Sequence, residues 1–500
     1  MSVYVCCVDA GTSRIKAGLV DRRGKMIALA AAPAPQLSHG NGPLAFDPAA
    51  HYRVMCRLLR SVRRMAGVPA AQIAAISVAN QRATIIALGA DEGVLAALSW
   101  QDTRCSAAID GFIRKFGAAR FQRITGLPSS PLWSLGKILW LQQEHPAAYR
   151  SAAWFVLLHD YLMRRLGAPK FITDFSNASL TGLLDITQRD WSPALLRAVG
   201  IAAGQLPALQ PAAARAGVLS AAAAAKCGLR AGTPLIVGGG DQQCAALGIG
   251  AVAPGDAGLC LGTAAVISCP VARPVHRRRG GFFCTAHVVP ERWVVEGFHT
   301  TFGGALRWLL QLLRLRSVQE FEQAAMKASP AWQRITFLPF LAGIGSPDFD
   351  ADARGVLAGL DLTHGRSEIA RAAIEGVALE TRRILEQVTP FVHLKRLVAV
   401  GGISARDIIP QAIADATGQP LFMCRTSEAT LHGLACLAWT GVGAYRDIVA
   451  AARRCAGGTL RRLQPAGGDP RRAARYTQYC AWVNAARRTA DRSSTVGGSA

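Results

Sequence analysis

Short apolar runs bounded by glycine-containing turns recur along the 500-residue chain and alternate with stretches of helical spacing. Residues 3–8 and 15–20 are apolar and flank a Gly-Thr-Ser turn, which predicts a β-hairpin with a polar tip. Residues 257–270 repeat this design around Gly262 and Thr263, which predicts a second hairpin in the other half of the chain. The alternation of strands and helices favours an α/β fold.

The tip of the first hairpin carries side chains suited to phosphate and metal binding. Gly11 leaves room for a ligand beside the backbone, and Thr12 and Ser13 supply hydroxyl and amide donors. Asp9 ends the first strand and offers the carboxylate that Mg²⁺ uses together with water and phosphate oxygens. The alternative is an ordinary hairpin whose Asp and Ser stabilise the turn.

Polar residues follow two predicted strands in the first half of the chain. Gln81 and Arg82 come after the apolar run of residues 73–78, and Trp100 follows the next run. Because open α/β sheets bind ligands beyond the carboxyl ends of parallel strands, we expect these side chains to contact a hydroxylated substrate. The alternative for the segment around Trp100 is a surface ion pair of Asp102 with Arg104 beside a core tryptophan.

Three further segments have simpler predictions. Residues 133–144 predict an amphipathic helix in which Lys137 extends its charged end to solvent. Residues 174–179 are polar and predict a loop. Gly433 lies inside a predicted helix, where it permits close packing or the approach of a ligand.

The next feature is an apolar strand at 235–237 that runs into three glycines and then into Asp241 and Gln242 at the start of a helix. The glycines allow a close approach to the backbone, and the helix N-terminus favours a carboxylate. We therefore expect Asp241 to take a proton from a substrate hydroxyl. Asp241 as a helix N-cap is the alternative, but an N-cap does not explain the glycines.

Composition limits the class of protein. The hydrophobic fraction of 51% is typical of a globular chain, and 500 residues suffice for two or three domains. The net charge of +24 raises the question of nucleic-acid binding, but the positive residues are scattered and no binding motif accompanies them. The charge is better explained as a field that attracts anionic nucleotides and sugar phosphates.

Cysteines and hydropathy indicate a cytoplasmic location. The 13 cysteines form no CxxC pair or zinc spacing, and several lie in apolar runs, which predicts buried free thiols in a reducing compartment. We see no signal-peptide pattern at the N-terminus and no apolar span long enough to cross a bilayer.

Several of these motifs together resemble the FGGY family of carbohydrate kinases over about the whole chain. The specific match is to the C-terminal signature of that family, at residues 355–360 and 368–375. The second signature fits at Ser134, Lys137, Trp140, Gln143 and Glu144 but departs at Leu132.

The resemblance implies a fold and an activity. The fold is α/β with two actin-like (ribonuclease H-like) ATPase domains and an interdomain cleft, at residues 1–245 and 246–455. A basic extension at 456–500 follows, which we expect to be loop-like apart from one helix, with a disordered end. The activity is transfer of the ATP γ-phosphate to a hydroxyl of a sugar or polyol. The family contains dimers and tetramers, so a homodimer is possible.

The resemblance also implies roles for individual residues. Asp241 would be the general base, Asp9 would organise Mg²⁺, and Gln81, Arg82, Trp100, Asp241 and Gln242 would bind the acceptor. The nucleotide and its phosphates would be contacted by Gly11, Thr12, Ser13, Gly262, Thr263, Gly303, Gly401, Gly402 and Ser404.

The acceptor is less closely defined. Residues 80–82 and 100–102 look like those of glycerol kinases, but those enzymes have Glu where this chain has Ala83 and Tyr where it has Leu132. Losing these contacts would leave glycerol hydroxyls unpaired, at a cost of about 1–3 kcal/mol each. We therefore expect a pentulose, with D-xylulose first, and keep glycerol or another polyol as the alternative. A catalytically idle sensor of sugar and nucleotide is the alternative from another class.

Overall fold

Two mixed β-sheets, one in each half of the chain, organise the molecule. The computed structural model describes residues 3–35, 42–276, 281–401, 408–467 and 470–496. The strands of the first half are β1 (Tyr4–Ala10), β2 (Arg14–Asp21), β3 (Met26–Pro33), β4 (Ile73–Asn80), β5 (Ile85–Leu88), β6 (Val94–Leu98), β7 (Trp154–Leu157), β8 (Ile172–Asp174), β9 (Leu184–Asp185), β10 (Asp190–Trp191), β11 (Ala208–Gln210), β12 (Arg215–Val218) and β13 (Pro234–Gly240). Those of the second half are β14 (Asp256–Leu261), β15 (Ala265–Val271), β16 (Phe283–Ala286), β17 (Trp293–His299), β18 (Thr336–Leu338), β19 (Val356–Ala358), β20 (Arg396–Val400), β21 (Leu421–Cys424) and β22 (Thr459–Leu463).

Helices pack around both sheets. In chain order they are α1 (Pro48–Met65), α2 (Ser106–Phe116), α3 (Ala118–Thr125), α4 (Ser134–Glu144), α5 (Pro146–Ser151), α6 (Leu158–Leu166), α7 (Phe175–Ser179), α8 (Pro193–Val199), α9 (Ala221–Cys227), α10 (Asp241–Gly248), α11 (Phe302–Leu312), α12 (Val318–Met326), α13 (Arg366–Val388), α14 (Ile408–Thr417), α15 (Ala429–Gly441), α16 (Ile448–Cys455) and α17 (Arg471–Val496). Local sequence sets several starts: at α1, the Asp47 side chain accepts from the amides of Ala49 and Ala50, and Pro48 follows at the first helical position.

The two sheets share one topology. In the first, β1, β4 and β13 run parallel, while β2 and β3 continue antiparallel from β1. In the second, β14, β20 and β21 run parallel, while β15 and β17 continue antiparallel from β14. An antiparallel edge strand, β12 or β22, closes each parallel set. The duplicated arrangement confirms the predicted two-domain α/β fold.

Both predicted Gly-Thr hairpins are confirmed. Ala10 pairs with Ile15 at the end of the β1–β2 hairpin, and Leu261 pairs with Ala265 at the end of β14–β15. The strand predicted at 73–78 is β4, which lies parallel beside β1. Each hairpin thus occupies the same position in its sheet.

Three predictions about elements are wrong. The strand before Trp100, β6, belongs to a separate antiparallel sheet with β5 and β7, not to the parallel set. Residues 175–179 form the short helix α7, because Asp174 caps the amides of Ser176 and Asn177. The segment after residue 455 is not loop-like, because β22 pairs with β21.

The basic C-terminal helix α17 is also integrated into the second half. Tyr479 and Val483 belong to its apolar core, and Tyr479 donates to Glu380 at 2.9 Å. The predicted division at residues 245/246 stays a prediction. The disorder predicted for residues 493–500 is wrong for 493–496, which belong to α17, and residues 497–500 lie outside the described part of the chain.

The halves are joined by the crossing of α10 and α15. A Cβ at Gly433 would lie 1.9 Å from the carbonyl oxygen of Cys244, and one at Gly248 would lie 1.9 Å from that of Ala429. The close packing expected at Gly433 is therefore confirmed, since the two backbones touch where a side chain would stand. None of the helices in the described ranges has the length and hydropathy needed to cross a membrane.

Candidate active site

A cavity of about 160 Å³ lies where the first hairpin tip, the end of β4 and the start of α10 meet. Both halves of the chain contribute to it. Its lining consists of Thr12, Gln81, Arg82, Ala83, Trp100, Leu132, Trp133, Leu180, Asp241, Gln242, Ala264, Val266, Phe283 and Phe298. Gln81, Arg82, Trp100, Asp241 and Gln242, the five residues predicted to bind the acceptor, are thus brought together.

Sheet pairing explains how distant residues meet here. Asn80 at the end of β4 pairs with Gly240 at the end of the parallel strand β13. The residues that follow, Arg82 and Asp241, therefore emerge at the same edge of the sheet, as expected for ligand sites in open α/β sheets. Trp100 also lines this cavity, but it follows β6, a strand of the separate antiparallel sheet.

The three glycines before Asp241 have a packing role. A Cβ at Gly238 would lie 1.9 Å from the Val78 carbonyl oxygen, and one at Gly240 would lie 2.4 Å from Cδ of Arg82. The close approach that the glycines permit is made by the neighbouring strand β4 and by Arg82. Their absent side chains let the arginine lie against the backbone that leads to Asp241.

Asp241 has the environment of a general base. It is the first residue of α10, and Gly240 occupies the N-cap position, so the N-cap alternative for Asp241 is wrong. Asp241 Oδ1 accepts from the amide of Gln242 at 2.8 Å and lies 3.7 Å from Nε of Arg82. Burial raises the pKa of the Asp241 carboxyl, against the opposing charge of Arg82. A raised pKa strengthens a carboxylate as a proton acceptor near neutral pH.

Arg82 is fixed by a carboxylate that the sequence reasoning missed. Glu296 in β17 is fully buried and accepts from Nη1 and Nη2 of Arg82 at 2.9 and 2.6 Å. Glu296 also accepts from Gln243 at 2.7 Å and from Thr285 at 2.5 Å. These bonds link strands β16 and β17 of the second half to Arg82. A lone carboxylate inside the apolar run WVVEGFH is the signal that could have revealed Glu296.

The prediction that Lys137 extends its charged end to solvent is wrong. The residue is 1% exposed, and Nζ donates to the carbonyl oxygens of Trp100, Pro131 and Leu132 at 3.1, 2.5 and 3.0 Å. Burial lowers the pKa of Lys137 to about 8. Lys137 therefore holds two segments of the cavity wall, those of Trp100 and Leu132, in place.

Trp100 itself is fixed from a second direction. Its indole Nε1 donates to Thr12 Oγ1 at 2.9 Å, which ties the cavity wall to the first hairpin tip. The ion pair considered as an alternative for this segment is also present, since Arg104 donates to both carboxylate oxygens of Asp102. Both alternatives are therefore observed: the ion pair is present, and Trp100 lines the cavity.

Asp9 lies at the base of the hairpin. Oδ1 is buried and has no hydrogen-bond partner within the described residues. Burial, and then the nearby charge of Asp241, raises the pKa of Asp9 to about 7. A carboxylate oxygen in this condition is short of a positive partner, which fits a cation site.

The donor set around Asp9 fits Mg²⁺. No group of three or more His, Cys, Asp or Glu residues able to hold a metal occurs in the described ranges. Mg²⁺ does not need such a group, because it is held in phosphoryl-transfer sites by one or two carboxylates together with waters and phosphate oxygens. Asp9 is the residue here that would hold the ion.

The two Gly-Thr turns face the same cavity. Thr12 of the first turn and Ala264, next to Thr263 of the second, both line it. Gly11 and Ser13 flank Thr12 at the first tip, and Gly262 precedes Thr263 at the second. The two turns therefore lie at one cavity, each contributed by a different half of the chain.

Two further glycines of the predicted nucleotide site support the second turn. The amide of Gly303 donates to the Gly262 carbonyl oxygen at 3.1 Å. Gly401 has a φ of 136°, and a Cβ there would lie 2.0 Å from the Leu261 carbonyl oxygen, so the position requires glycine. Gly402 and Ser404, the other predicted members, lie outside the described residues.

Comparison with known proteins identifies the family. Residues 4–248 match the N-terminal domain of the FGGY family of carbohydrate kinases, and residues 257–442 match its C-terminal domain. The chain is 32% identical over 456 residues to a glycerol kinase from Citrifermentans bemidjiense, covering 88% of this chain and 90% of that protein. It is 28% identical over 422 residues to a xylulose kinase from Escherichia coli, covering 83% and 85%.

Solved structures agree with these matches. A ligand-bound xylulose kinase from Lactobacillus acidophilus superposes with a TM-score of 0.89 at 25% identity, over 98% of this chain and 99% of that one. The resemblance inferred from the two signatures is confirmed. The chain belongs to the FGGY family of carbohydrate kinases, phosphotransferases that act on a hydroxyl of a sugar or polyol.

Proposed function

We propose that this chain transfers the γ-phosphoryl group of ATP to one hydroxyl of a small acceptor in the cavity, with Asp241 as the general base. The observation that carries the proposal is the position of Asp241, at the cavity and beside Arg82, with a pKa raised by burial. Asp241 takes the hydroxyl proton as the acceptor oxygen bonds to phosphorus, and ADP leaves. Such a transfer depends mainly on positioning and on neutralising charge.

Other residues position the reactants. Gln81, Arg82, Trp100 and Gln242 hold the acceptor, because they line the cavity around Asp241. Asp9 would hold Mg²⁺, which supplies charge neutralisation at the phosphates when it is bound. The residues that would contact the phosphates and the nucleotide are Gly11, Thr12, Ser13, Gly262, Thr263, Gly303, Gly401, Gly402 and Ser404.

The first acceptor to examine is a pentulose such as D-xylulose. Ala83 and Leu132, the two residues that differ from the glycerol kinase pattern, both line the cavity that we assign to the acceptor. Their small or apolar character removes polar contacts to glycerol and leaves space for a larger molecule. Glycerol is the second candidate, favoured by the relative that is 32% identical.

The test is release of ADP from MgATP across a panel of acceptors. The panel contains D-xylulose, L-xylulose, D-ribulose, L-ribulose, glycerol, erythritol, ribitol and gluconate, and each product is identified by phosphorus NMR. We expect a pentulose to give the highest kcat/KM. Glycerol as the best acceptor would overturn the assignment of Ala83 and Leu132. Binding of MgATP and of an acceptor without any phosphorylated product would favour the idle sensor.

A further inference from the structure

The lining of the cavity is divided by chemistry. Polar groups come from the ends of β4 and β13, where Gln81, Arg82, Asp241 and Gln242 lie. Most of the remaining lining is hydrocarbon, supplied by aliphatic and aromatic side chains. A bound molecule is therefore offered hydrogen bonds on one side and apolar contacts on the other.

The hydrogen-bonding side chains of the cavity are concentrated on the polar side. The amide oxygens Oε1 of Gln81 and Gln242 are buried and have no partner within the described residues, so each can accept one hydroxyl proton. Asp241 accepts the proton of the reacting hydroxyl. Arg82 has already committed Nη1 and Nη2 to Glu296, which reduces what its guanidinium can offer. Both glutamine amides and the guanidinium also carry N–H donors, so several hydroxyls can be paired, chiefly on this side of the cavity.

The apolar side adds almost no hydrogen-bonding groups, because both of its indole N–H groups already donate to other parts of the protein. Trp100 Nε1 donates to Thr12, and Trp133 Nε1 donates to the Pro128 carbonyl oxygen at 2.7 Å. Both rings therefore turn carbon toward the cavity. Phe283 packs edge-on against Trp133, with ring centroids 5.3 Å apart, and Phe298 packs against Phe283 at 6.3 Å.

Aliphatic side chains complete this wall. Leu132, Leu180 and Val266 lie beside the aromatic rings, and none of them can pair a hydroxyl. A hydroxyl pressed against such a wall loses its hydrogen bonds to water without replacement, which weakens its binding by roughly 5- to 150-fold. A methyl group at the same place is buried favourably.

We propose that the acceptor is amphipathic: it carries hydroxyls next to Asp241 and a methyl or deoxy carbon against the wall of Trp133, Phe283 and Phe298. The acceptor class is thus a deoxy ketose or deoxy polyol rather than its fully hydroxylated counterpart. This inference rests on the proposed kinase function, since it names the acceptor of that same site.

Matched pairs of acceptors test the inference. D-xylulose is compared with 1-deoxy-D-xylulose, and glycerol with each enantiomer of 1,2-propanediol, by kcat/KM for ADP release from MgATP. We expect the deoxy member of at least one pair to be preferred by about 5-fold or more. Preference for the fully hydroxylated member in both pairs would overturn the inference.

Substitutions in the wall give a second readout. Leu132→Asn and Val266→Thr nearly preserve shape while adding hydrogen-bonding groups, so each should shift the preference toward the hydroxylated member. The same changes at exposed positions, Leu362→Asn and Val218→Thr, should leave the preference unchanged. If the cavity variants keep the unmodified preference, the wall does not contact the acceptor and the inference is wrong.

Calorimetry separates this inference from the proposed function. Each acceptor is titrated into the protein with MgADP present, so that binding is measured without turnover. Tighter binding of a deoxy member without any ADP release from MgATP would refute the kinase function and support the acceptor class. Equal binding within each pair, or binding of neither member, would overturn the acceptor class whatever the activity.

Discussion

Replacement of Asp9 by asparagine should make the ligand-free protein more stable at alkaline pH. Burial and the charge of Asp241 raise the pKa of Asp9 to about 7, whereas the carboxyl in an unfolded chain titrates near 4. Between these values the folded protein holds a proton that the unfolded chain has released. The free energy of unfolding therefore falls as the pH rises through this window and levels off above about pH 7. The Asp9→Asn variant would carry no such penalty, because its amide does not ionise.

The size of the effect follows from the same numbers. One pKa unit corresponds to about 1.4 kcal/mol, so the two units between pH 5 and pH 7 amount to about 3 kcal/mol. Asp9 is half-buried at the cleft, and solvent there reduces this to about 1–3 kcal/mol. For a domain of this size, such a difference moves Tm by roughly 2–12 °C.

Thermal unfolding at pH 5 and pH 8, without metal or nucleotide, measures this effect. The Tm of Asp9→Asn minus that of the unmodified protein should be larger at pH 8 than at pH 5. Asp110→Asn removes an exposed carboxylate of α2 and serves as the control with no such change. A Tm difference for Asp9→Asn that is the same at both pH values would refute the reasoning. Added MgATP should raise the Tm of the unmodified protein more than that of the variant.

Three further substitutions have distinct expected outcomes. Gly433→Ala places a methyl 1.9 Å from a carbonyl oxygen of α10 and should cost about 1–3 kcal/mol in a melting experiment, whereas Gly204→Ala, in open space, should be near neutral. Lys137→Met leaves three carbonyl oxygens without their donor, so Tm should fall by an amount equivalent to about 1–3 kcal/mol. The steady-state KM for the acceptor should rise, because the cavity wall loses its support. An unchanged KM would contradict the positioning role of Lys137. Glu296→Gln removes the carboxylate that Arg82 binds through Nη1 and Nη2 and leaves only Asp241 as a nearby countercharge, which should cost up to about 3–5 kcal/mol in stability. Because Glu296 raises the pKa of Asp241, the acid limb of the pH–rate profile should move to lower pH.

Much of the fold was predictable because its signals are local. The two hairpins follow from alternating apolar runs and a Gly-Thr turn, and each formed as expected. Gln81, Arg82 and Asp241 were found because they follow apolar strands directly, and strand ends in an open sheet converge on one edge. For these features the necessary information lies within a short stretch of sequence.

What was missed depends on partners far away in the chain. Glu296 binds Arg82, 214 residues earlier, and inside its own strand it looks only like an isolated charge. From its own helix Lys137 looks like a surface residue, but it is buried because it donates to the carbonyl oxygens of Trp100 and of residues 131–132. The pairing of β22 with β21 likewise depends on a contact that no local pattern encodes.

The role of Asp241 is decided by comparing Asp241→Asn with the unmodified protein on the best acceptor of the panel, over a range of pH. Burial raises the pKa of this carboxyl, so kcat/KM of the unmodified protein should fall as acid protonates the base. The variant should be slower by about 10²- to 10⁴-fold and should lack that acid limb. A variant within about tenfold of the unmodified rate, with the same pH profile, would contradict the assignment of Asp241 as the general base.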